Sequence, residues 1–196
     1  MTERPATLIV MALAMESQGL FERAGVGVLY TGLGKVNAAL SLMRALRDYR
    51  RDDAQLPLVL NFGTAGSHHL DTGSLVGCHR FVQRDMDVSG IGFPRGVTPF
   101  EDVPAELSFP VVFDELPQAL CGTGDSFETG VAKLHCEVID MEAYALAKVC
   151  RLEGAAFGCA KYVTDGADGA AAEDWQRNLV PAAAAFWTLY ERHRRL

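Results

Sequence analysis

The strongest constraint on this chain is a series of short, nearly continuous apolar runs set between stretches of helical periodicity. Residues 7–12, 56–62, 75–82, 109–113 and 157–163 read as strands. Most lack polar alternation, which implies strands covered on both faces, as in α/β proteins with helices on either side of a sheet. Between the first two, residues 35–51 have the spacing of an amphipathic helix, with Val36, Ala39, Leu40, Met43 and Leu46 on one stripe and arginines opposite. Residues 141–152 and 173–195 are the other predicted helices, and Pro181 is expected to kink the last one or to end a first short helix. A chain of 196 residues suffices for one sizeable core. The pattern predicts a single three-layer αβα domain over residues 1–196, with a twisted central sheet and no repeats or interior linker.

Charge and composition exclude several function classes. A formal net charge of -7 argues against a nucleic-acid binder, because neutralising phosphates needs a basic face. Arg192, Arg194 and Arg195 fall at a helix C-terminus, where cations complement the helix dipole. Ala12-Leu13-Ala14 resembles a signal cleavage site, but the apolar stretch before it is too short and Glu3 stands beside Arg4, so a first buried strand is expected there. No later run approaches the roughly 20 apolar residues of a membrane helix, and no membrane partner is expected. The five cysteines, Cys78, Cys121, Cys136, Cys150 and Cys159, are odd in number and form no CxxC pair. They are expected to be reduced, buried thiols of a cytoplasmic protein.

Chemistry concentrates where strands end. In VIDMEAYALAKVC, residues 138–150, a buried strand runs into a helix with Asp140 and Glu142 on either side of Met141. Asp140 there suits a helix cap and Glu142 a first-turn dipole partner, but bare charge among apolar neighbours is costly and marks candidate functional groups. In KYVTDGAD, residues 161–168, a second strand ends at Thr164-Asp165-Gly166. Glycine-rich segments follow other strands, as TGLGK at residues 31–35, NFGTAGS at 61–67 and CGTGDSF at 121–127, and they read as turns able to approach an anion or a ribose. None has P-loop or dinucleotide spacing. Together these strand ends predict a common rim around a small polar ligand. His68 and His69 adjoin one of these turns, but no third ligand has metal-site spacing, so neither a metal nor another cofactor is expected.

Seven segments in order make the chain resemble the 5'-methylthioadenosine/S-adenosylhomocysteine nucleosidases of the purine nucleoside phosphorylase superfamily. They are ALAME at 12–16, TGLGKVNAAL at 31–40, NFGTAGS, RDMDVSGIGF at 84–93, GTGDSF at 122–127, IDMEAYALAKVC at 139–150 and VTDGAD at 163–168, spanning nearly the whole chain. The resemblance implies a mixed, twisted central sheet of the phosphorylase/hydrolase kind, a homodimer and a part in methionine salvage. It implies that Asp165 protonates the departing purine at N7, that Glu142 binds the ribose hydroxyls and that Met141 packs under the sugar. It further places Phe127 against the purine, Trp175 at the 5' substituent, Thr64 near the attacking water and Asp140 in the same substrate-binding segment.

Two departures accompany the resemblance. Where the family carries the glutamate that activates water, this chain has Gln18, whose amide accepts no proton, so water placement is expected from Glu16 with Gln18. Between Phe21 and Thr31 the chain is shorter than the family pattern and lacks the residues for a strand pair. The alternatives are a phosphorylase, with Asn61 where the family has an arginine and Arg84 or Arg95 to supply charge, and a nucleoside-binding module without turnover.

Overall fold

In the computed structural model, which describes residues 6–51, 55–127 and 134–195, the apolar runs become strands of one mixed sheet. The elements are β1 (Thr7–Met11), α1 (Ala14–Ser17), α2 (Leu20–Arg23), β2 (Val28–Tyr30), α3 (Lys35–Arg51), β3 (Leu58–Gly66), β4 (Leu75–Gln83), β5 (Glu106–Ser108), β6 (Gln118–Thr123), β7 (Val138–Asp140), α4 (Ala143–Glu153), β8 (Phe157–Asp165) and α5 (Ala171–His193). Successive side chains of a strand point to opposite faces, and both faces are apolar here. Val10, Val59 and Cys159 enter one core with Leu42 and Leu46 of α3 and Leu146 of α4. Ile9, Met11, Leu60, Phe62, Ala160 and Tyr162 enter the other with Phe186 and Leu189 of α5. This is the expected layering of helices on both sides of a mixed sheet.

The pairing closes on itself. β3 runs parallel to β8, β8 antiparallel to β4, β4 parallel to β6 and β6 parallel to β7. β7 returns to β3 through Gly66 and Ile139, completing a ring of five strands. β1 and β2 extend the sheet from β3 in parallel, and β5 pairs antiparallel with β4. The ring brings the ends of β3, β7 and β8 together, because Gly66 faces both Ile139 and Asp165.

Several local expectations are corrected. Residues 109–113 form no strand: Phe109 donates a last hydrogen bond to the His79 carbonyl, and Pro110, with no N–H, follows. NFGTAGS is mostly strand rather than turn, since β3 continues to Gly66. Its glycines answer close approaches, for a Cβ at Gly63 would lie 2.9 Å from Lys161 Nζ and one at Gly66 would lie 2.7 Å from Asp165 Oδ1. The stripe expected to pack α3 holds at Leu46, which is buried, and at Ala39, which packs against the core, but not elsewhere. Ala38, Leu42 and Leu46 are buried, whereas Val36, Leu40 and Met43 are 76%, 48% and 40% exposed. The helix is apolar on two sides, and periodicity alone did not reveal which one meets the sheet. Pro181 does not divide α5, which is held across it by buried Leu179, Ala182, Ala183 and Phe186. The short stretch between Phe21 and Thr31 contains one three-residue strand, β2.

Candidate active site

A cavity of about 210 Å³ opens where the ring of strand ends meets the start of α5. Its lining includes Glu16, Thr64, Phe127, Asp140, Met141, Glu142, Asp165 and Trp175, so the structure gathers these sequence-predicted residues in one place. Gln18 is not brought in. It is exposed, in a left-handed conformation at the end of α1, with its side-chain amide donating to the Met15 carbonyl at 2.6 Å. His68 and His69 do not line the cavity either, and the His69 ring packs against that of His135.

Asp165, 4% exposed, ends β8. Its Oδ1 accepts from the Ala167 amide at 3.0 Å and its Oδ2 from the Thr164 hydroxyl at 2.7 Å. The space beside it exists because residue 66 has no side chain.

Glu142 stands at the junction of β7 and α4, and its Oε1 accepts from the Gly34 amide at 2.8 Å. Burial first, and the charge of Asp140 second, push its carboxyl up to about 8, against the opposing influence of Lys161 and the Gly34 amide. Asp140 is behind it. Its Oδ2 accepts from the Ala143 amide at 2.8 Å, the cap expected from sequence, and meets the Lys161 ammonium at 2.8 Å, while its Oδ1 accepts from the Thr123 hydroxyl. Burial raises the Asp140 carboxyl, but Lys161 and these hydrogen bonds outweigh it and hold the group below the usual range. Lys161 was not singled out in the sequence. Its signal was a lone lysine inside the apolar run FGCAKYV, a charge that burial requires to be paired.

Glu16 fills a nest of donors. Its Oε2 accepts from the amides of Ala12 and Leu13 at 3.1 and 3.0 Å, and its Oε1 from the Thr64 amide and hydroxyl at 2.9 and 3.0 Å. Trp175, from the first turns of α5, donates its indole N–H to the same Thr64 hydroxyl at 3.0 Å. The turn before α3 is likewise occupied by acids, because the Gly34 amide serves Glu142 and the Lys35 amide serves Asp125. Arg84 and Arg95 lie outside the lining. Arg84 binds the carbonyl and hydroxyl oxygens of Ser126, and Arg95 pairs with Asp87 at 3.1 Å. Asn61 donates to the Val10 carbonyl at 3.1 Å.

The arrangement places four carboxyl groups from three distant segments around a largely apolar cavity, which suits a reaction that develops positive charge on a small ligand. Comparisons with known proteins agree in direction. Residues 17–132 and 123–188 match the model of the phosphorylase superfamily. A 5'-methylthioadenosine/S-adenosylhomocysteine nucleosidase of Marinomonas sp. (strain MWYL1) is 30% identical over 84% of this chain and 78% of its own length. Among solved structures, the Helicobacter pylori nucleosidase of that name with butyl-thio-DADMe-Immucillin-A superposes with a TM-score of 0.84 at 19% identity, covering 98% of each chain. The futalosine hydrolase of Helicobacter pylori superposes with a TM-score of 0.84 at 20% identity, covering 97% of each chain. At these identities the two structures establish the fold.

Proposed function

The chain belongs to the 5'-methylthioadenosine/S-adenosylhomocysteine nucleosidase family of the phosphorylase superfamily, and on that premise we propose that it hydrolyses the N-ribosidic bond of an adenine nucleoside with a modified 5' end. The observation that carries this reading is the one cavity lined by Glu16, Glu142 and Asp165, with Phe127, Met141 and Trp175 as apolar walls. Breaking the bond leaves an oxocarbenium-like ribose, which carboxylates stabilise, and a purine that must be protonated to leave. In this reading Asp165 gives its proton to the base at N7, Glu142 holds the ribose hydroxyls over Met141, and Phe127 stacks on the purine. Trp175 borders the 5' substituent. Asp140 supports Glu142 from behind rather than touching substrate, because its oxygens are engaged by Lys161, Thr123 and the α4 amides. Gln18, turned to solvent, has no part in it.

Two features support water as the acceptor over phosphate. The amides that would cradle an anion already serve Glu16 and Glu142, and a phosphate placed beside them would meet the Glu16 carboxylate without a lining arginine.

The exposed apolar stripe of Val36, Leu40 and Met43, continued by Leu33 at the cavity rim, supports assembly as a homodimer through α3. The buried thiols support a reducing, cytoplasmic setting, and among the described residues no helix is long and apolar enough to cross a membrane. The reading is of one domain whose product re-enters methionine salvage.

The test is incubation of the purified protein with 5'-methylthioadenosine in phosphate-free buffer, with phosphate added to a parallel sample. Equal adenine release in both supports hydrolysis. Release only with phosphate, or in neither, refutes it.

A further inference from the structure

The Glu16 carboxylate accepts four hydrogen bonds, two at each oxygen, which fills the acceptor capacity of a carboxylate. It has no lone pair left for a water in the cavity. One of its four donors is the Thr64 hydroxyl, and that hydroxyl is itself held by the Trp175 indole. The direction of this chain is forced by chemistry. An indole N–H only donates, an ionised carboxylate only accepts, and a hydroxyl carries one hydrogen and two lone pairs. The hydrogen of Thr64 therefore points to Glu16, one of its lone pairs is taken by Trp175, and the second is left to accept from a water. Glu16, Thr64 and Trp175 all line the cavity that holds Glu142 and Asp165.

From this we infer that Trp175, Thr64 and Glu16 form a one-way relay that removes the proton of the attacking water, with Thr64 as the carrier, Glu16 as the terminal base and Trp175 as a positioning residue. As the water oxygen bonds to the ribose C1', the water proton passes to Thr64 Oγ1 and the original Thr64 proton passes to Glu16 Oε1. The C1'–N9 bond breaks with its electron pair going to the purine, and Asp165 supplies the purine proton. After the products leave, Glu16 releases one proton to solvent and Asp165 takes one up, so the cycle balances. Trp175 transfers nothing. Its N–H occupies the lone pair that would otherwise let the Thr64 hydroxyl turn and donate into the cavity. The relay explains how a chain with Gln18 in place of an acid activates water, and it rests on the hydrolase reading above.

The experiment is a double-mutant cycle on adenine release from 5'-methylthioadenosine. Trp175→Phe keeps an aromatic side chain but removes the N–H together with the five-membered ring of the indole. We expect kcat to fall about tenfold with KM within about twofold, the signature of an interaction used after binding. Thr64→Ala is expected to lower kcat further, and Trp175→Phe should then cost nothing more in that background, whereas Thr64→Ser should restore the dependence on Trp175. Replacement of Trp175 by its benzothienyl analogue, which puts sulfur in place of N–H at nearly the same shape, gives the same expectation without altering packing. A raised KM with unchanged kcat would make Trp175 a wall of the pocket only and overturn the relay. An equal cost of Trp175→Phe with and without Thr64 would also overturn it. Absence of adenine release by the unmodified protein would remove the hydrolase reading and the relay together, whereas release unaffected by either Trp175 substitution would remove the relay alone.

Discussion

Lys161 Nζ lies 2.8 Å from Asp140 Oδ2, and each side chain is 1% exposed. The pair joins the middle of β8 to the end of β7 directly behind the cavity. Removing one partner of a buried pair leaves the other charge without compensation. Lys161→Met is therefore expected to destabilise the protein by about 3–5 kcal/mol, read by urea denaturation. Wild-type stability in this variant would show that Asp140 finds another partner.

Asp165→Asn keeps the shape of the side chain and removes the acid. A general acid contributes about 10²–10⁴ in rate, so kcat on 5'-methylthioadenosine is expected to fall by that factor with the fold unchanged by circular dichroism. Near-normal adenine release would reassign the proton donor.

Gly66→Ala would place a methyl group 2.7 Å from Asp165 Oδ1 and 3.1 Å from the Ala167 Cβ. Both neighbours are buried, so one must move. A displacement near 1 Å at a reacting group costs about 10²-fold, and the variant is expected to lose activity of that order while still binding an adenine nucleoside in calorimetry.

The Glu142 carboxyl is pushed up to about 8 from a reference of 4.5 by burial and by Asp140. Between these two values the folded protein holds a proton there that the unfolded chain has released. This site's contribution to stability is complete below the lower value and declines as pH rises toward the upper one. Measured as the difference between the unmodified protein and Glu142→Gln, stability should fall from pH 5 to pH 8. A flat difference would mean that Glu142 ionises as an ordinary carboxyl.

Leu40 sits in the exposed stripe of α3. Leu40→Glu puts a charge into the proposed subunit contact at a side chain that is 48% exposed in the single chain. Sedimentation should show a dimer for the unmodified protein and a monomer for the variant, and an unmodified protein that sediments as a monomer would end that reading.

Strands buried on both faces were the most readable part of the sequence, because β1, β3 and β8 arise from nearly continuous apolar runs with little else to become. The strand expected around Phe109 failed on a single missing N–H at Pro110, and β6 and β7 are short strands that earn their place through partners far along the chain. Residue types at the strand ends were visible, yet their roles depend on contacts that no local pattern encodes. Glu16 and Gln18 differ by two positions, and only the turn that puts Gln18 in a left-handed conformation separates a buried carboxylate from an exposed amide. The role of Lys161 depends on a partner 21 residues away in sequence, on another strand.

The closed ring of β3, β8, β4, β6 and β7 has a consequence for how this protein can change. Its ladders hold the ends that carry Thr64, Asp140 and Asp165 in fixed relation. Tuning the catalytic groups by loosening one strand would slacken the hoop as a whole. Variation in substrate preference is cheaper at the rim, in the loops bearing Leu33 and Phe127 and on α5 at Trp175, where a side chain can be exchanged while the hoop stays shut.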